Sequence, residues 1–215
     1  MSESEPCPVL GLVGGIGAGK SHVSAALERR GGRIVAGDPL GHEALKQKNV
    51  IALVVERWGR EVLDQNGQVD RRKLGAIVFA DDEDRKELEV MVHPWIGRQL
   101  HEQLHAAKAD SAVPFAVLDA AIMLEAGWQA ACDLLVYIHA PRMQRMQRAT
   151  ARFGWSPADY AARERAQMSL SDKARRADFA LDNSGDLNQL EPQVDRLLRQ
   201  VGIKNKRIGD GIERG

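Results

Sequence analysis

Residues Gly14–Gly15–Ile16–Gly17–Ala18–Gly19–Lys20–Ser21 fit the pattern G-x-x-x-x-G-K-[ST], and each type in that order suits the grip of a polyphosphate. Glycines let successive main-chain N–H groups turn toward one anion, and a helix beginning at the lysine offers the positive end of its dipole. Lys20 reaches β- and γ-phosphates and the Ser21 hydroxyl is a ligand for Mg²⁺, with His22 following in the same first turn. The implied ligand is ATP or GTP. A phosphoryl acceptor needs a base, and Asp38 stands just past the apolar run ending at Ala36, on the edge where open parallel sheets bind ligands. A carboxylate there takes a proton from a hydroxyl or helps to hold Mg²⁺; Asp38–Pro39 also reads simply as a turn with a helix cap. Asp119, after the run Phe115–Leu118, has the position of a Walker B acid, or it caps its strand.

A second cluster is cationic. Arg142, Arg145, Arg148 and Arg152 recur at three- and four-residue spacing, on one face of a helix, and Arg163, Arg165, Arg175 and Arg176 follow. Phosphoryl transfer calls for cations around the migrating group, and the guanidinium fork matches phosphate oxygens. An arginine-bearing flap that closes over the reaction and excludes water is one reading. A solvated basic face paired with Asp159, Glu164 and Asp172 is the other, and two or three of the arginines are expected to reach phosphate. The histidines have no metal-ligand spacing, and Trp58, Trp95, Trp128 and Trp155 are expected in core or flap packing.

The elements that must hold these groups alternate. Strands are predicted at Val9–Val13, Arg33–Ala36, Phe115–Leu118, Leu134–Ile138 and Phe179–Leu181, with helices between them: an α/β domain with a largely parallel sheet. Asp70 is a predicted N-cap, as is Ser156, with Pro157 and Asp159 completing the start signal. A helix capped by Asp81 or Asp82 is predicted to run to about Val92, and Pro94 to open another. The 215 residues suffice for one domain with insertions. Thirty basic residues balance thirty acidic ones, so no global field favours nucleic acid. Acidic residues interrupt the most apolar stretch, Pro114–Ile138, so no membrane span is expected. Cys7 and Cys132 match no metal or redox spacing and read as reduced thiols of a cytoplasmic protein.

Several separated segments together resemble the dephospho-CoA kinase family: Leu10–Ser21, Arg33–Asp38, Phe79–Asp81, His93–Pro94, Leu118–Asp119, Leu124–Trp128, Arg165–Met168 and Ala177–Gly185. The resemblance implies a three-layer P-loop NTPase fold with a mostly parallel five-stranded sheet. It divides the chain into a kinase core (7–40, 108–148 and 177–203), a helical acceptor-binding insertion at about 41–107, an arginine-rich lid at about 149–176, and a flexible tail at 204–215. It implies ATP with Mg²⁺ as donor and the ribose 3′-hydroxyl of dephospho-CoA as acceptor, in the last step of coenzyme A synthesis. Asp38 would be the general base, Lys20 and Arg148 the catalytic cations, and Ser21 the metal ligand. Gly14 through His22, with Arg148 and Asn183, would hold the nucleotide, Asn183 at the adenine. Another small-molecule P-loop kinase, for a nucleoside monophosphate or a metabolite, is the alternative; against a GTPase-like switch, the sequence carries no Asn-Lys-x-Asp guanine signature. A monomer or weak homo-oligomer is expected. Three departures stand out: His22 replaces the usual threonine, Ala36 the first aspartate of an Asp-Ala-Asp run, and Ala120–Ala121–Ile122 the residues around a usual proline.

Overall fold

The computed structural model describes residues 7–203; the expected tail at 204–215 lies outside them. The described chain forms two compact units, one running up to Val35 and again from Gln103 onward, the other being Ala36–Glu102.

The first unit is built on a five-stranded sheet in the order β2-β3-β1-β4-β5, with β1 Val9–Gly14, β2 Arg33–Ala36, β3 Ala116–Asp119, β4 Leu134–His139 and β5 Phe179–Asp182. The β1–β3, β1–β4 and β4–β5 ladders are parallel, with Leu10 opposite both Val117 and Leu134, and His139 opposite Asp182. Every residue of β1 is buried, as expected of the central strand of a sheet covered on both faces. Helix α1, Lys20–Glu28, turns Val23, Ala26 and Leu27 into a core shared with Leu10, Leu12, Phe115, Val136 and Ile138. The last of the described helices, α9 at Leu187–Gln200, adds Leu190, Val194, Leu197 and Leu198 to the same core. Arg30, just past α1, reaches α9 through Asp195 and Glu191, each at 2.6 Å.

The second unit is helical: α2 Gly37–Ala44, α3 Lys48–Trp58, α4 Arg71–Val78 and most of α5, Asp82–Ala109. Its core gathers Val50, Val54, Trp58, Val62, Leu74 and Val78. Asp70 caps α4 as predicted, accepting from the N–H groups of Arg72 and Lys73, and Asp81 likewise receives the N–H groups of Glu83 and Asp84. One expectation fails here: Pro94 opens no new helix but sits inside α5, which runs unbroken past it. Proline removes one N–H and costs the helix a bond. Yet Pro94 is exposed, while Ile96, Leu100, Leu104 and Ala107 are buried on the opposite stripe. Burial of that stripe outweighs the lost bond.

Between β4 and β5 the first unit carries three more helices, α6 Arg142–Phe153, α7 Pro157–Arg165 and α8 Leu170–Arg175. The predicted start of α7 is a complete capping box between Ser156 and Asp159. Phe153 stacks on Trp155 at 4.5 Å, and the Arg163 guanidinium lies 4.5 Å from the Trp155 ring centre, so this tryptophan packs within the segment. Among the described residues no helix is long and apolar enough to cross a membrane.

Candidate active site

The glycine-rich loop leaves β1 at Gly14 and enters α1 at Lys20, crossing two left-handed residues, Gly17 (φ +74°) and Gly19 (φ +88°). Only glycine takes these conformations without strain, and their alternation with ordinary residues turns neighbouring N–H groups toward one side, the geometry of an anion nest. Space also demands glycine: a Cβ at position 17 would collide with the Arg145 carbonyl, and one at 19 with the Asn183 amide. The loop closes on itself through the Ala18 N–H to the Gly15 carbonyl at 3.1 Å. Lys20 is half-buried, and Ser21 and His22 are exposed in the first turn of α1.

Two residues named from sequence meet this loop. Asn183, buried just beyond β5, donates from Nδ2 to the Ala18 carbonyl at 2.8 Å. Arg148 on α6 donates to the Asn183 carbonyl at 3.0 Å and to that of Ala18 at 3.5 Å. Asp119, at the end of β3, accepts a 2.8 Å hydrogen bond from the buried Ser24 hydroxyl, one turn beyond Ser21. A hydroxyl and a carboxylate carried on adjacent elements are hard oxygen donors of the kind that Mg²⁺ takes. Asp38 belongs to the other unit: it is exposed in the first turn of α2, directly after β2. One turn on, burial and the adjoining Arg71 push the His42 imidazole below its ordinary pKa, so His42 is neutral at pH 7.

Arg145, one of the arginines marked from sequence, also bears on the loop, as do two residues that sequence reasoning did not single out, Tyr160 and Lys173. Arg145 is buried, donating from Nη1 to the Tyr160 hydroxyl at 2.7 Å and to Glu164 at 2.8 Å, and from Nε to the Ala140 carbonyl at 3.1 Å. Tyr160 is fully buried and donates in turn to the Ile16 carbonyl at 3.4 Å, so α7 is fastened to the phosphate loop; burial pushes the phenol up to about 12. Lys173 on α8 is buried and paired with Glu125. A cavity of 280 Å³ opens beside the loop, lined by Gly15, Ile16, Arg142, Arg145, Glu164 and Gln167 among others. The helical recurrence of arginines marked α6 as one face, but it could not tell the buried Arg145 from the exposed Arg142 and Arg152. Sequence order alone did not mark Lys173, which sits in a run of charges that looks solvated.

A phosphate nest at the mouth of a central parallel strand, a carboxylate on the adjoining strand and an arginine-bearing helix folded over the loop define a P-loop kinase. The family model of dephospho-CoA kinase matches residues 8–189. A dephospho-CoA kinase of Anaeromyxobacter dehalogenans is 37% identical over 202 residues, 93% of this chain and 95% of that protein. One from Geobacter sulfurreducens is 37% identical over 190 residues, 88% of this chain and 96% of that protein. Among solved structures, TT1252 from Thermus thermophilus aligns with a TM-score of 0.76 and 34% identity over 92% of this chain and 99% of that one. The fold is also that of dephospho-CoA kinase from Campylobacter jejuni, at TM-score 0.67 and 22% identity, over 90% of this chain and 96% of that one. This chain belongs to the dephospho-CoA kinase family.

Proposed function

We propose that this chain transfers the γ-phosphoryl group of ATP, with Mg²⁺, to the 3′-hydroxyl of the dephospho-CoA ribose, giving coenzyme A and ADP. The observation that carries the reading is the meeting of Arg148 and Asn183 at Ala18 of the phosphate loop, in a chain of this family. Main-chain N–H groups of the glycine-rich loop orient the triphosphate, and Lys20 neutralises charge on its β- and γ-oxygens. Arg148 carries a further positive charge to the same loop and so stabilises the phosphates as the transferred group detaches. Asp38, two residues past the carboxyl end of β2, takes the proton of the attacking hydroxyl. Mg²⁺ would supply positive charge against that developing on the phosphates. Ser21 would hold it, with Asp119 near by through Ser24. Asn183 fixes the loop at Ala18 and would contact the adenine.

In this reading the helical segment at about 41–107 receives the acceptor, and about 149–176 serves as the lid over the core (7–40, 108–148 and 177–203). The enzyme works in the cytoplasm as a monomer or weak homo-oligomer. The test is direct: purified protein with ATP, MgCl₂ and dephospho-CoA, followed by chromatography of ADP and coenzyme A. Formation of both in equal amounts is expected, and no ADP above the acceptor-free blank overturns the reading. An acceptor panel of nucleoside monophosphates and hydroxylated metabolites tests the rival kinase. A tenfold preference for any of them, about 1.4 kcal/mol in transition-state binding, would replace dephospho-CoA.

A further inference from the structure

Lys173 is buried to 2% exposure, an unusual place for an ammonium in a segment otherwise rich in exposed arginines. Its Nζ lies 3.0 Å from Glu125 Oε1 and 3.2 Å from Gln167 Oε1. The same Glu125 oxygen accepts the Met168 N–H at 2.8 Å, so one carboxylate in the connection after β3 gathers both ends of the link into α8. Leu170, at the start of α8, stands over Gly15 of the phosphate loop. Gln167, which receives the Lys173 ammonium, lines the cavity that Gly15 and Ile16 share with Arg142 and Arg145.

Stability alone does not account for this arrangement. A buried ion pair roughly breaks even against a well-packed apolar pair of the same size. An ammonium has three donors, and Glu125 and Gln167 take one each. Burial pushes the Lys173 ammonium's pKa below the usual lysine range; Glu125 pulls it back and the positive charge of Lys20 lowers it further. Lys20 and Lys173 thus repel one another. A bound triphosphate reverses the sign of that interaction for both.

We propose that Lys173 is a third cation of the nucleotide-phosphate site, beside Lys20 and Arg148, kept in place by Glu125 and Gln167 so that it acts on the same anion as Lys20. The inference rests on the reading of the loop as an ATP site and is independent of the acceptor. Anion binding stabilises the protonated form of Lys173. ATP therefore draws in protons where the free ammonium has begun to dissociate, and Glu125, Gln167 and Lys20 are the groups that face it.

The test is titration calorimetry of ATP with Mg²⁺ into the full-length protein, at about pH 7.5 and about pH 9, the latter nearer the lysine range. Two buffers of different ionisation enthalpy separate proton uptake from binding. Lys173→Met is expected to weaken ATP binding about tenfold or more, and Lys173→Arg by less than about threefold, as a retained charge predicts. At the higher pH the wild type takes up protons on binding and Lys173→Arg takes up measurably fewer, since its guanidinium does not titrate. A folded Lys173→Met that binds ATP within about twofold of wild type overturns the proposal. Should Lys173→Met fail to fold, the Lys173→Arg comparison decides alone: proton uptake equal to wild type overturns the proposal. A wild type that binds no ATP sinks the nucleotide reading instead, so the two failures are told apart.

Discussion

Asp38 and Arg148 are assigned opposite tasks, and their substitutions are separable. Asp38 is a base toward the acceptor, so Asp38→Asn keeps the shape of the side chain and removes its affinity for a proton. The expected result is a fall in kcat of about two to four orders of magnitude, with KM for ATP nearly unchanged, read by coupled ADP release. Normal turnover by that variant would remove the assignment. Its neighbour His42 is neutral at pH 7 and so lends Asp38 no positive charge at working pH. Arg148 touches the nucleotide loop from α6 through the carbonyls of Ala18 and Asn183. Arg148→Ala should raise KM for ATP and lower kcat while leaving KM for the acceptor within about twofold. An unchanged response to ATP would show that this arginine only braces the fold. Lys173, buried beside the same loop, is the residue through which a third charge enters the balance.

Among the elements, α5 is the one in which local chemistry and tertiary burial disagree. Pro94 is exposed on a helix that continues through it, so no packing is lost by replacing it. Pro94→Ala restores the missing N–H and relieves the ring's conflict with the preceding turn; a gain of about 1–3 kcal/mol is expected, measured as a rise in the urea midpoint at constant m-value. A lower midpoint would overturn the view that Pro94 costs the helix stability. The same helix marks where sequence reading stops. Capping residues such as Asp70, Asp81 and Ser156 were legible because their side chains bond their own neighbours. The phosphate loop and the buried runs of β1, β3 and β4 were legible for the same local reason. Pro94 misled because the buried stripe that overrides it depends on partners distant in the chain. The burial of Arg145, and Lys173 altogether, escaped on like grounds: the one is covered by α7 and the other by the connection after β3, which no short-range pattern encodes.

For the molecule as a whole, acid sensitivity has a definite source. Arg30 joins α1, near the beginning of the described chain, to α9 near its end through Asp195 and Glu191. The hydrogen bond from Arg30 holds the Asp195 carboxyl below the usual carboxylate range. Burial alone would raise Glu191, but hydrogen bonds from Arg30 and Arg29 bring it below that range as well. Groups with depressed folded pKa values give their full support above the unfolded values, about 4, and lose it as the pH falls through the folded ones. Arg30→Met should therefore cost about 1–2 kcal/mol at neutral pH. The difference in Tm from wild type should narrow steadily between about pH 5 and about pH 3. A constant difference across that interval would refute the role of the two carboxylates.

The sheet order has a further consequence for how the protein is born. β1 leaves the ribosome well before its sheet neighbours β3 and β4, and the Val9 N–H bonds to Asp133 across 124 residues. At about 5–20 residues per second, the strand that will carry the phosphate loop waits roughly 6–25 s for its partners. During that interval Val9, Leu10, Leu12 and Val13, all destined for the interior, stand exposed on the nascent chain. A chaperone that recognises short apolar stretches has its longest opportunity there.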